Sequence, residues 1–463
     1  MTNKQALLLL LMANLAGLQA QVKDNLLSNP GFRTQADGNP ESWAMWAPRA
    51  DLAGKGAVIK GTDGNLLFMK GERFATFGKW ITVVSGIRPG QYYRFEILRR
   101  AEQVAKEETS IAVLLSWCRD DRGQTAVQRD YVDRIEDAGE WRREFRTLRA
   151  PDNARSVSLE LTLRWTTGSV IWKNPRLAEV APLKHRIVRV ATTHLLPKYP
   201  ATLESNLQAI GDMIDQAGKE RPDLILFSEN LVDRGLLKPL VERALPIPGP
   251  FTAMLSEGAR KYRSYIVTTQ EELDNGLVYN TAVLIDRQGR IAGKYRKVHL
   301  PLVEGEDGVT PGNDYPVFDT DFGRIGILTC WDNWFIEPAR ILRLKGAEML
   351  LVPIAGDESA HWDLMSRARA VDNGVYLISS STVGSSTSRI VDPSGKVLAE
   401  ASGQSGLAVC SIDLDREWRT SWLSVGPSEG EAKSLFIKER RPDTYGTVLQ
   451  DAHERSRPAG DNQ

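Results

Sequence analysis

RIGILTCWDNWFIEPARILRLKG, residues 324–346, reads as an apolar strand that stops at Cys330 and hands over to a helix around Glu337 to Leu344. A strand that feeds a helix is the building unit of layered α/β folds, so the neighbouring sequence should repeat it. Upstream, RIVRVATT (186–193) reads as a strand, and Leu203, Leu207, Ile210, Ile214 and Ala217 then recur at helical spacing. DLILFS (223–228) is a buried strand, a helical stretch runs from Phe251 to Tyr262, and YIVTTQ (265–270) and TAVLID (281–286) are strands. Downstream come the strand EMLLVPI (348–354), a helix from Trp362 to Val371 and the strand VYLISSST (375–382). This alternation predicts a layered α/β domain over 185–430, with a C-terminal extension and tail over 431–463; no solenoid repeat is visible.

Before Leu183 the rhythm is different. WITVVSGI, QYYRFEILRR, TSIAVLLSW and VSLELTLRW are short alternating runs separated by Gly, Pro, Asn and Asp, without a helix of convincing length. They predict an all-β antiparallel sandwich over 24–181. Trp43, Trp46 and Trp80 belong to this region. Such aromatics are more often core than platforms for a sugar ring.

A length of 463 residues exceeds the usual ceiling for one core and agrees with two domains. Lys plus Arg and Asp plus Glu both number 59, so no global field draws the chain to nucleic acid, and nucleic acid is discounted as a partner. MTNKQALLLLLMANLAGLQA, residues 1–20, has one Lys, an apolar run from Ala6 to Leu15 and small residues before Ala20. It is expected to be a signal peptide, with export to the periplasm or outside the cell, because the run is too short to span about 30 Å of hydrocarbon. The alternative is an uncleaved anchor. Three cysteines, Cys118, Cys330 and Cys410, cannot all pair within one chain, so at least one thiol stays free; a Cys118–Cys410 bridge remains open.

Cys330 is the most placed of the three. At a strand-to-helix junction it would face a helix N-terminus, whose partial positive charge favours the thiolate; the bland reading is a small buried residue. Glu229 follows DLILFS at the carboxyl end of an apolar strand, where ligand crevices form in α/β sheets, and partial burial would raise its pKa towards that of a general base. It could equally be a helix cap or a surface acid. In KYRKVHLP (294–301), strand alternation puts Tyr295, Lys297 and His299 on one face. Lys297 could hold an oxyanion, or the segment could be a solvated edge strand.

In the order Glu, Lys, Cys, these segments resemble the nitrilase superfamily of carbon-nitrogen hydrolases. The resemblance covers about Arg186 to Asp413 and rests on FSEN, KYRKVHLP, TPGNDYPVFDTDFGRIGILTCWDNWFIEPAR and RARAVDNGVYL, with ERRPDTYGTVL similar to the family's C-terminal segment. It implies a four-layer α-β-β-α sandwich. It also implies that Cys330 attacks a carbonyl or nitrile carbon, that Glu229 is general base and acid, and that Lys297 holds the developing charge with the Trp331 backbone N–H. A further family acid lies between the Lys and the Cys; Glu304 and Glu306 are available, and Glu306 is expected from its distance to TPGN. Asn333, Trp334 and His361 are candidate pocket residues. Asp372 stands where relatives commonly carry Glu and is expected to support the site. NLLSNPGF, NPESW and SVIWKNPRLAEV resemble jelly-roll, galactose-binding-like modules.

The expected function is hydrolysis of a non-peptide carbon-nitrogen bond in a small linear amide or N-carbamoyl compound, through a cysteine thioester. A nitrilase acting on nitriles, an amine acyltransferase and a catalytically silent glycan-binding protein are the rivals. No cofactor or metal is called for: the chain has no HExxH or paired CxxC motif, and its five histidines are scattered. The expected partners are a small-molecule amide, a glycan through the first module, and a second copy of the chain.

Overall fold

The computed structural model describes residues 25–356, 360–421 and 424–450, so the expected signal peptide and the stretch 357–359 lie outside the described residues. The chain forms two compact units. One comprises the residues up to Lys184 together with those from Arg419 onward; the other is His185–Trp418.

In the first unit two sheets share one core. The seven-stranded sheet is ordered Ala44–Trp46, Phe77–Ser85, Ser156–Arg164, Ile111–Cys118, Ala126–Tyr131, Glu429–Glu431, Arg419–Ser421. The six-stranded sheet is ordered Lys55–Gly61, Gly64–Lys70, Ser169–Val180, Tyr92–Glu102, Trp141–Arg149, Arg134–Ala138. Alternate residues of both, including Leu67, Phe95, Leu115, Leu161 and Trp172, point inward and pack together, as the alternating runs demand. Trp43 and Trp80 are buried in that core, and Trp46 is exposed. The α/β reading extended to residue 430, but residues 419–450 group with this unit. Glu429–Glu431 pairs in parallel with Ala126–Tyr131, Val425 and Leu435 pack on Ala112 and Tyr131, and Tyr131 Oη donates to Glu439 at 3.1 Å.

The second unit runs β1 (Ile187–Leu195), α1 (Leu203–Lys219), β2 (Leu224–Leu226), α2 (Pro250–Tyr262), β3 (Tyr265–Asp274), β4 (Leu277–Ile285), β5 (Ile291–Arg296), β6 (Val317–Asp319), β7 (Arg324–Ile327), α3 (Ile336–Leu344), β8 (Met349–Ile354), α4 (Ala360–Asn373), β9 (Tyr376–Ser381), β10 (Ser388–Val391), β11 (Val397–Ala401) and β12 (Ser405–Asp413). One sheet is ordered β5-β4-β3-β2-β1-β12, the other β6-β7-β8-β9-β10-β11. In each, the helix-connected strands are parallel and antiparallel strands close the edges.

Strand alternation sends Leu224 and Leu226 to a core shared with Ile327, Leu351 and Ile378 of the other sheet, and Ile225 to the opposite face. There Ile210, Ile214 and Leu255 of α1 and α2 cover the first sheet. Leu342 and Ala370 of α3 and α4 cover Leu350, Val352 and Leu377 of the second. The result is the four-layer α-β-β-α arrangement. Gly326 allows α3 to lie close to β7, since a Cβ there would meet Leu342 Cδ1 at 2.8 Å. All three cysteines are free, so no Cys118–Cys410 bridge forms.

Candidate active site

Glu229 follows β2, Lys297 follows β5 and Cys330 follows β7, each just past the carboxyl end of its strand. Glu229 and Lys297 leave the first sheet, Cys330 the second. Lys297 Nζ donates to Glu229 Oε1 at 2.9 Å across 68 residues of sequence, and to Glu304 Oε1 at 2.7 Å. Asn280, on β4, gives a further bond to Glu229 Oε1 at 2.7 Å, and the Ala355 N–H, just past β8, donates to Glu229 Oε2 at 2.8 Å. The Ala355 peptide is itself held, its oxygen accepting from Arg234 Nη2 at 2.5 Å and from Thr382 Oγ1 at 3.0 Å.

The acid that joins Lys297 is Glu304, not Glu306. Both sit on the one-turn helix Leu302–Glu306, where residues two apart point roughly 200° apart. Glu304 turns inward and Glu306 is exposed, so spacing to TPGN was no guide to the side facing the lysine.

Burial penalises Glu229's charge, yet the Lys297 ammonium and the Asn280 amide outweigh it and hold the carboxyl below the ordinary glutamate value. The expected upward shift is therefore reversed, and Glu229 rests as a carboxylate. Burial would also lower Lys297; Glu229, Cys330 and Glu304 around it more than compensate, so it stays an ammonium. Cys330 goes the other way. Burial and the nearby Glu229 charge push its thiol well above the ordinary cysteine value, although Lys297 opposes them.

The expected resting thiolate is thus not what this environment favours, and part of the reason is geometric. Cys330 opens a 3-10 turn, Cys330–Trp334, and the α-helix begins only at Ile336. At φ +46° Cys330 occupies the left-handed region, a conformation that non-glycine residues tolerate when the surroundings enforce it. Its Sγ lies 3.8 Å from the Gly356 carbonyl.

Asp332, two residues on, is fully buried and supplies that enforcement. It accepts from Thr329 N at 3.0 Å within the turn, from Tyr295 Oη at 2.5 Å and from His299 N at 2.9 Å. Tyr295 and His299 flank Lys297, so one carboxylate ties the lysine segment to the cysteine turn. The alternation argument had put those three residues on one face without finding what they face. Asn280, Ala355 and Asp332 were not found from the sequence; Asp332, a polar residue beside Cys330, and Asn280, a polar residue inside the strand β4, were the available signals, and Ala355, which acts through its backbone N–H, carried none.

The turn's first hydrogen bond runs from Asp332 N to Thr329 O at 3.1 Å, which leaves the Trp331 N–H ahead of it without a partner in the turn. Trp331 and Trp334 pack ring to ring at 5.3 Å. Asn333 is buried, its Nδ2 donating to Ser366 Oγ of α4 at 3.3 Å. His361 is exposed in the first turn of α4. Asp372, at the far end of α4, lies 3.8 Å from Arg369 and is not brought to Glu229, Lys297 or Cys330 among the described contacts. The sequence suggested Asn333 and His361 for the pocket and Asp372 for support of the site; none of the three is hydrogen-bonded to Glu229, Lys297 or Cys330 among the described residues.

A lysine bridging two glutamates beside a cysteine on a left-handed turn, between two sheets, now meets its match in sequence: the carbon-nitrogen hydrolase family model spans residues 188–422. The chain belongs to the carbon-nitrogen hydrolase family. It is therefore an enzyme, a hydrolase of non-peptide carbon-nitrogen bonds that works through a cysteine. The chain is 30% identical over 279 residues to a probable nitrilase of Schizosaccharomyces pombe, covering 56% of this chain and 98% of that protein. It is 34% identical over 229 residues to the omega-amidase of Homo sapiens, covering 45% and 79%. The crystal structure of a Saccharomyces cerevisiae nitrilase-superfamily member overlays with a TM-score of 0.45 at 28% identity, covering 49% of this chain and 90% of that one. In this hydrolase the family match falls in the second unit, apart from its last few residues.

Proposed function

We propose that the chain hydrolyses a small linear amide or N-carbamoyl compound through a thioester on Cys330. The observation that carries this is Lys297, buried between Glu229 and Glu304, with Cys330 alongside. Its similarity to omega-amidases supports an amide in place of a nitrile. Glu229 Oε2, bonded once to the Ala355 N–H, keeps a lone pair for the thiol proton. As that proton moves, Sγ attacks the amide carbon and the carbonyl π pair moves to oxygen. Lys297 has three N–H donors and two are used, so the third is available to this oxyanion, with the Trp331 N–H as second donor. The proton on Glu229 then passes to the leaving nitrogen as the C–N bond breaks. Water next attacks the thioester, giving one proton to Glu229, and the departing sulfur takes that proton back as the acid is released.

The test is Cys330→Ala against a panel of amides, N-carbamoyl amino acids and nitriles. Activity is expected to vanish, and full amide hydrolysis by the variant would end the reading. For the rest of the chain, the pattern of residues 1–20 supports export to the periplasm or beyond. The first unit is proposed to be a jelly-roll, galactose-binding-like module, supported by its two sheets on one core. Of its three early tryptophans only Trp46 is exposed to meet a glycan. A panel of polysaccharide pull-downs that retained none of the unaltered protein would remove the glycan, and one that retained Trp46→Ala equally well would remove Trp46 as its contact.

A further inference from the structure

The ladder between β8 and β9 ends at the pair Ile354 and Ser381, which leaves Ala355 as the first residue beyond it. That residue sits beside the chemistry. Its N–H donates to Glu229 Oε2 at 2.8 Å, the Ile354 carbonyl before it accepts from Glu229 N at 3.4 Å, and the Gly356 carbonyl after it lies 3.8 Å from Cys330 Sγ. The placement of Ala355 therefore sets how the base meets the thiol. Past the end of a strand its own carbonyl needs donors from elsewhere, and two side chains supply them: Arg234 Nη2 at 2.5 Å and Thr382 Oγ1 at 3.0 Å.

A guanidinium ordinarily settles on a carboxylate, which matches its fork of donors. Arg234 does not. Asp233, its neighbour in sequence, lies 3.7 Å from Arg243 Nε, and the one side-chain hydrogen bond of half-buried Arg234 among the described residues is that to Ala355 O. The root of the side chain is fixed as firmly as its tip. Asn206, buried on α1, donates through Nδ2 to Val232 O at 3.0 Å and to Arg234 O at 2.8 Å, and Gly235 at φ +75° makes a turn in which a Cβ would meet Lys198 O at 2.5 Å. Glu229 and Arg234 share the loop after β2, in the first sheet, while Ala355 follows β8 and Thr382 follows β9, in the second. The loop of the base thus grips the other sheet both at Glu229 and at Arg234.

We propose that Arg234, together with Thr382, is a positioning residue of this active site: the two donors clamp the Ala355 carbonyl, and the clamp holds the Glu229 loop of the first sheet against the stretch of the second sheet that faces Cys330. The charged donor makes the stronger of the two bonds. Without it Ala355 keeps only Thr382, the residue turns more freely, and its N–H no longer fixes the direction of Glu229 Oε2 relative to Sγ. The chemical step then slows, while the substrate, which Arg234 does not touch in this role, binds as before. The inference rests on the roles proposed for Cys330 and Glu229.

The test compares the unaltered full chain with Arg234→Met, which removes donor and charge but keeps an unbranched side chain, and with Thr382→Val, which removes the second donor. Two quantities are measured: deuterium uptake in peptides covering Leu351–Gly356, by mass spectrometry, and kcat and KM on the best amide of the panel. Arg234→Met is expected to exchange about tenfold faster in that stretch and to lose about tenfold or more in kcat, with KM within about threefold. Thr382→Val is expected to exchange faster and to lose roughly threefold in kcat. A folded Arg234→Met with kcat within about twofold of the unaltered protein, or with its whole loss in KM, overturns the proposal. If Arg234→Met does not fold, Thr382→Val decides, and an unchanged kcat in it overturns the clamp. If the unaltered protein hydrolyses no amide, the proposed function fails; faster exchange in Arg234→Met then still supports the clamp, and unchanged exchange overturns it.

Discussion

Lys297 is a buried cation whose neighbours decide the chemistry, and the two glutamates on either side of it are not equivalent. Glu229 has both oxygens engaged by donors, while Glu304 has one on Lys297 and one buried without a hydrogen-bond partner among the described residues. Glu304→Gln removes one of the two charges that hold the lysine, and kcat is expected to fall roughly ten- to a hundredfold, as befits a charged hydrogen bond in an active site. Glu306→Gln, on the exposed side of the same turn, should stay within about twofold. Equal losses in the two variants would remove Glu304 from the site.

Glu229's lowered pKa makes a second prediction, with its sign fixed. The active form is the carboxylate, present above the folded-state pKa and lost as pH falls through it, so the acid limb of kcat/KM should lie below the ordinary glutamate value of about 4.3. With folding followed by circular dichroism, an acid limb centred above about pH 5 in a fully folded protein would contradict the Lys297 pairing.

At the scale of elements, the turn Cys330–Trp334 and the segment after β5 act as one piece because Asp332 bonds to both. Asp332→Ala would leave the Tyr295 hydroxyl and two backbone N–H groups buried without a partner, at about 1–3 kcal/mol each. The melting temperature is expected to drop, and at a temperature where the variant is folded, kcat should fall tenfold or more, because the lysine and the cysteine are no longer held in register. A variant with unchanged melting and kcat would show that the tie is idle. Strand ends were legible here because buried parallel strands are unbroken apolar runs, and the first polar residue after each run marks its end. The turn after Cys330 was not. A 3-10 turn and an α-helix share too much local pattern for WDNWF to show where one ends and the other begins.

For the molecule as a whole, the catalytic groups come from two sheets held together by their shared core. Leu351, on β8 in that core, is fully buried against residues of both sheets. Leu351→Ala is expected to cost about 2–5 kcal/mol, read as a lower urea midpoint. An unchanged midpoint would mean that the inter-sheet packing does not hold the site. The sequence by itself determined the α/β alternation and the residue types at three strand ends, because strand and helix periodicity is written in neighbouring residues. It also pointed to the cysteine, lysine and first glutamate. Only the tertiary structure decided that Glu304 faces the lysine, that the resting cysteine keeps its proton, and that residues 419–450 complete the first unit. Glu304 is only seven residues from Lys297, but which side of its one-turn helix faces inward is set by what packs around it; the other two depend on groups far apart in the chain meeting across a low-dielectric interior, and no local pattern encodes such distances.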